Sequence, residues 1–378
     1  MAFLGKKVKM TTTYQERWER ILTAVSLGRP DRVPIVLEYA GFAARVTGTS
    51  MATFLSSRAG SIETMIGAWR LVNRPVQADA INYGSFDPYS LCFLFGSKVR
   101  VAGVDLAESD DWQVDEKELM VSEDYDRILK EGWPSWWKWF LNHRVFDDVP
   151  CERNPLKQPG IDVRSAWAEQ GIPVLTGGTV SPPFEILCGA RSLNSFVFDL
   201  LERRDQLDRV MEEMVPHLAP PMIESARNSD LPVVWVGGWR AAPAMLSPEM
   251  FNRFAWPPLR RIVNEIVDAG LIALLHLDSN WTRELERFRE LPRGRCILAF
   301  DGFTDIFKAK EVIGDHLCLM GDVPATKLAF GEPEEVYDYC RRLVKMLGPE
   351  GFILQSGCDI PNNARLENVQ AMVAAATS

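Results

Sequence analysis

A chain of 378 residues with 47% hydrophobic and 25% charged positions can bury a large core, and its net charge of −9 argues against a nucleic-acid backbone as partner. No apolar run reaches the roughly 18 residues of a membrane span. Lys6, Lys7 and Lys9 near the start are not followed by an apolar stretch of signal-peptide length.

In chain order, Tyr14–Leu27 reads as an amphipathic helix leading into a first apolar strand, Arg32–Tyr39, and a second follows at Asp79–Gly84. The stretch 86–163 then breaks the rhythm: Lys98–Asp105 reads as a hairpin strand and Trp133–Phe140 is dense in aromatics. We read it as an insertion over a barrel mouth, between strands two and three. Six further strands are expected at Ile172–Thr179, Pro232–Trp239, Leu271–Asp278, Arg295–Asp301, His316–Asp322 and Gly351–Cys358. Helices are expected at Arg204–Asn228, at Glu249–Ala269 behind a Ser247-Pro248 cap, at Glu332–Leu347 between Pro333 and Gly348, and at Asn363–Ala376. Nearly continuous apolar strands are those of a parallel sheet buried on both faces. Eight of them alternating with helices predict one α/β domain over residues 1–378, a closed (β/α)8 TIM barrel.

In such a barrel, chemistry sits at the C-terminal strand ends. Those ends carry Glu38 and Tyr39, Trp239 and Arg240, His276 and Asp278, Asp301, Asp322, and Cys358 followed by Asp359. His276 and Asp278 are two apart, so both point to one face of a strand, the barrel interior. A buried imidazole and carboxylate need a partner. Zinc is one, since it accepts nitrogen, oxygen and sulfur, and Cys358 and Asp301 would complete the set. A hydrogen-bonded His–Asp pair beside a free thiol is the other reading. The seven cysteines are scattered, and apart from Cys358 they read as buried thiols of a reducing, cytoplasmic compartment.

The segments 17–36, 181–201, 245–263, 274–280 (LLHLDSN), 320–336 and 351–373 resemble the uroporphyrinogen decarboxylase superfamily in order and spacing, over nearly the whole chain. The resemblance implies a (β/α)8 barrel and one of two chemistries. Metal-free decarboxylases carry arginines just after the first strand, where this chain has Glu38-Tyr39-Ala40-Gly41-Phe42-Ala43-Ala44-Arg45. Those carboxylate-pairing arginines are missing, and Glu38 would repel an acidic substrate. Zinc methyltransferases that pass methyl groups between a substrate and a corrinoid protein carry His-x-Cys and a distant Cys. Here His276 and Cys358 match and Asp278 replaces the first Cys. More remote cobalamin-independent methionine synthases place an acidic ligand where Asp301 stands. Fewer thiolates make a harder zinc, suited to polarising an oxygen. The resemblance therefore implies a methyltransferase acting by O-demethylation on a small, methoxylated, for instance aromatic, donor. Its site would be His276, Cys358 and Asp278 or Asp301, and a partner protein would supply the corrinoid. A carboxy-lyase and a non-catalytic barrel are the alternatives, and a homodimer is allowed.

Other residues carry two readings each. Arg240 pairs a substrate carboxylate or bridges to Glu38. Tyr39, Tyr83 and Trp239 line the substrate pocket or only pack. Asp322 faces substrate or caps the following helix. Gly177-Gly178 and Gly237-Gly238 ease a turn or admit a flat ligand. The tryptophans of 133–140 wall an aromatic substrate, meet the partner, or form a packed satellite core.

Overall fold

The computed structural model describes residues 11–74 and 76–377, so Lys6, Lys7 and Lys9 lie outside the described residues. The barrel strands are β1 (Val36–Leu37), β2 (Ala80–Ile81), β3 (Thr176–Val180), β4 (Val233–Gly238), β5 (Ile272–Leu277), β6 (Cys296–Phe300), β7 (Cys318–Val323) and β8 (Phe352–Ser356). Strands β3 to β8 form one parallel sheet in chain order, and β1 pairs in parallel with β2. Two single bridges close the ring. Ile35 with Leu354 joins β1 to β8, and Ile81 with Val174 joins β2 to β3. The Leu354 N–H donates to the Pro34 carbonyl (2.9 Å) and the Leu175 N–H to the Ile81 carbonyl (3.0 Å) across those seams. The fold is a (β/α)8 barrel.

The first two strands are shorter than their apolar runs. Pro34 has no N–H to offer, and the Ile35 N–H donates to the Asp79 carboxylate (2.9 Å) instead of a neighbouring strand. Inside the barrel, Val36, Ala80, Leu175, Val233, Leu274, Ala299, Met320 and Ile353 form one buried cluster. The helix Thr12–Val25 adds Ile21, Ala24 and Val25 to it and so plugs the N-terminal end. The other side of each strand packs on the surrounding helices.

Prolines redraw two helices. Arg204–Asn228 is two helices, Arg204–Met214 and Ala219–Ser229, around a tight turn at Val215–His217 that holds Pro216. Behind the Ser247 cap, Pro248–Met250 widens into a π turn at Phe251–Ala255 before the helix Trp256–Asp268, which carries Pro257 and Pro258 in its first turn. Among the described residues no helix is long and apolar enough to cross a membrane.

Between β2 and β3, Lys98–Arg100 pairs antiparallel with Gln113–Asp115. Trp133–Phe140 is a helix whose Trp133, Trp136 and Phe140 are buried, with Trp136 stacked on Phe140 and tilted against Trp133. These three rings belong to the same buried cluster as the outer faces of the barrel strands, not to a separate satellite core.

The first glycine pair, Gly177 and Gly178, differs from both readings. Gly177 and Gly178 lie within β3 at a register shift. A Cβ at Gly177 would come within 2.9 Å of Ala226 Cα, and one at Gly178 within 2.6 Å of the Met222 carbonyl oxygen. Both glycines therefore let the helix Ala219–Ser229 lie close on the strand. Cys151 is exposed as well as Cys358, while the other five cysteines are buried.

Candidate metal centre

Chain alternation fixes what enters the mouth. On β5, Ile272, Leu274 and His276 alternate toward the interior, and Asp278 follows two residues on. On β8, Ile353 and Gln355 point inward, and the chain then turns through Gly357 to Cys358. Gly357 is needed there, because a Cβ would sit 2.5 Å from the Asp301 carbonyl oxygen.

β5 and β8 are three places apart in the ring, yet donor atoms of His276, Asp278 and Cys358 all lie within 4.8 Å of one another. The contact therefore crosses the mouth. His276 Nε2 is 3.1 Å from Asp278 Oδ1. The imidazole is buried, with Nδ1 unpartnered, and stacks on Trp235 at 5.4 Å and 25°. Burial works against its charged form, but hydrogen bonds with Asp278 and Cys358 outweigh it and hold His276 well above the usual imidazole range. Burial pushes the Cys358 thiol up although the residue reaches solvent, and His276 opposes that rise.

A polar floor lies on the β1, β2 and β8 side. Asn82 Nδ2 and Gln355 Nε2 each donate to Glu38 Oε2 at 2.6 Å. Thr176 Oγ1 donates to Asn82 Oδ1 at 2.8 Å. Tyr83 donates to Asp359, whose carboxyl is pushed up to about 7 by burial and by the Glu38 charge. Asn82, Gln355 and Trp235 belong to this site although none stood among the expected residues, and Asp359, noted only as following Cys358, joins them. Their signal was the alternation itself, since Asn82, Gln355 and Trp235 share the parity of Ala80, Ile353 and Val233.

Four expected residues are engaged by partners other than those expected. Asp301 accepts N–H bonds from Ser279 (2.7 Å) and Phe303 (2.9 Å), which tie down the loops after β5 and β6. Its carboxylate is not one of the three clustered donors. Arg240 pairs with Glu116 of the insertion (2.8 Å) and not with Glu38. Tyr39 is wholly buried and donates to the Met65 carbonyl (2.9 Å), because it has the opposite parity to Glu38 and faces the outer helices. Asp322 accepts from Tyr339 (2.7 Å) and does not cap the following helix. Tyr83 and Trp239 remain at the mouth.

The loop after β4 hangs on Glu185, which is fully buried and accepts the backbone N–H groups of Trp239 (3.0 Å), Arg240 (3.0 Å) and Ala241 (2.9 Å). Burial raises its pKa to about 7 against the pull of those donors, and burial likewise raises Asp322 to about 6. Both carboxyls ionise in the unfolded chain near their ordinary values of 4.5 and 3.8. From there up to about pH 7 the folded state binds more protons, so rising pH lowers stability. The thermal midpoint is expected to fall between about pH 5 and pH 8, and Glu185→Gln to flatten that slope. An equal slope in the variant would show that Glu185 does not contribute.

The family model for uroporphyrinogen decarboxylase (URO-D) matches residues 165–378, more than half of the chain. Among solved structures, a methyltransferase from Methanosarcina mazei is similar at a TM-score of 0.68 and 18% identity, covering 94% of this chain and 96% of that one. No curated protein matches the chain in sequence.

Proposed function

The chain belongs to the uroporphyrinogen decarboxylase family, and from that premise we propose that it is a zinc-dependent methyltransferase. It would take a methyl group from a small methoxylated donor and pass it to a corrinoid carried by a partner protein. The observation that carries this reading is the meeting of His276, Asp278 and Cys358 across the mouth.

The donor set fits the metal. Zinc takes nitrogen, oxygen and sulfur at roughly 2.0–2.3 Å, and three protein ligands leave the open position of a catalytic site. With carboxylate in place of a second thiolate, the set suits an oxygen-bearing substrate. Bound there, zinc would withdraw electron density from the donor's ether oxygen. The remaining work falls to the chain. Trp235 holds the His276 ring by stacking, and the clamped Glu38 keeps a fixed carboxylate below. In the transfer, the methyl C–O bond breaks with its electron pair leaving on oxygen, and the acceptor supplies the pair for the new bond to carbon.

A carboxy-lyase for a polyacid fits this mouth poorly. Glu38, Asp278 and Asp359 all face it, while Arg240 is engaged by Glu116 and Arg45 is exposed on the helix Gly41–Thr47.

Metal analysis tests the proposal. Wild-type protein purified without chelators should carry about one zinc per chain, and Cys358→Ser should lose most of it. Metal-free wild type would remove the reading.

A further inference from the structure

One corner of the mouth, beside His276, is shaped by residues that hold no metal-type donor. Trp235 packs against the interior cluster, and Gly237 has the same parity and stands in register with His276. Gly237 faces inward with no side chain, and Trp239 occupies the room. A Cβ at 237 would lie 2.0 Å from Trp239 Cζ3 and 2.9 Å from Trp235 Cζ3. The indole of Trp239 is thus folded back toward Trp235 (6.3 Å, 32°) and meets Phe95 of the insertion on another side (4.8 Å, 46°). The aromatic faces run without a break from His276 through Trp235 and Trp239 to Phe95. Glu185 holds the Trp239 backbone in this position.

Space and polarity complete the corner. Thr179 is paired with Trp235 in the β3–β4 register and is exposed, so solvent enters the barrel to that depth. Ser181 comes directly after the end of β3, one residue beyond the Val180–Val236 pair. Ser181 Oγ and Trp239 Nε1 are both buried without a hydrogen-bond partner. A buried donor left unpaired is costly, and two such donors, one on Trp239 in the aromatic wall and one just past the end of the neighbouring strand β3, call for an acceptor that arrives from outside.

We propose that the corner bounded by Thr179, Ser181, Trp235 and Trp239 is the donor subsite, and that it binds an aromatic ring bearing oxygen acceptors. The ring packs on Trp235 and Trp239, and its oxygens accept from Trp239 Nε1 and Ser181 Oγ. This rests on the reading of His276, Asp278 and Cys358 as the reacting centre, and it makes the donor an aryl ether and not an alkyl one.

Binding without turnover tests it, by calorimetry with the uncharged ethers 2-methoxyphenol and 2-methoxyethanol on the full chain. The aromatic compound is expected to bind at least tenfold tighter. Trp239→Phe, which keeps a ring and removes the N–H, should weaken it about tenfold, and Ser181→Ala should weaken it severalfold. Equal binding of the two compounds, or no change in either variant, overturns the subsite. The outcome separates from the metal reading, because zinc content is measured on the same samples. Zinc without aromatic selectivity sinks the subsite alone, and aromatic selectivity without zinc leaves the subsite and sinks the proposed chemistry.

Discussion

His276→Ala is expected to lower methyl transfer by on the order of a thousandfold while the protein stays folded. Loss of a metal's polarising effect is worth several kcal/mol, and each 1.4 kcal/mol is about a factor of ten in rate. His276 is one of three clustered donors, so its removal leaves only Asp278 and Cys358 to hold an ion. The fold should survive, because the ring lies in the polar mouth above the apolar layer of Leu274 and its register partner Ile297. The measurement is single-turnover transfer from a methoxylated donor to a reduced corrinoid acceptor, with zinc content and circular dichroism on the same samples. Zinc and activity lost together support the proposal. Undiminished transfer in the variant would remove His276 from the reaction. Wild-type protein that keeps zinc yet transfers nothing from any aryl or alkyl ether would favour a binding protein on a catalytic scaffold.

The barrel was legible because strands buried on both faces read as unbroken apolar runs, and all eight lie within the expected segments or extend them by one residue. Strand length was harder to read. Asp79 draws off the Ile35 N–H, and nothing local to residue 35 announces an acceptor 44 positions away. The helix break at Pro216 is written in the sequence as a proline, but apolar periodicity alone runs straight through it as one helix. In the mouth, the two-residue spacing placed His276 and Asp278 together. The same rule, applied to Tyr39, would have turned it outward, since Val36 and Glu38 take the inward parity. Arg240 and Asp301 could not be read this way. Their partners are Glu116, 124 residues distant in the insertion, and two loop N–H groups whose positions depend on the closed ring.

Asp79→Ala is expected to cost about 3–5 kcal/mol of stability, which is a large share of the total for a domain. The Asp79 side chain has no exposure and binds four donors: Arg20 Nη1 at 2.6 Å, both Arg32 terminal nitrogens at 2.8 Å, and the Ile35 N–H at 2.9 Å. Arg20 sits on the helix that plugs the barrel, and Arg32 leads into β1, so one carboxylate joins the plug, β1 and the start of β2. Cutting it away leaves the Arg32 guanidinium and a buried N–H without that partner, and Arg20 with only Asp31. Leaving a buried ionic group unpaired is what makes such cuts expensive, whereas a surface pair such as Arg29–Glu350 contributes at most about 1 kcal/mol. Urea unfolding of Asp79→Ala and Glu350→Ala beside wild type measures the contrast. Asp79→Asn should fall between them, since its amide oxygen can still accept from Ile35 but offers no charge to the arginines. A cost below about 1 kcal/mol for Asp79→Ala would mean that the plug is held by the apolar contacts of Ile21, Ala24 and Val25 alone. In that case the shortness of β1 would serve no ionic clasp, and the sealing of the barrel floor would be a purely hydrophobic matter.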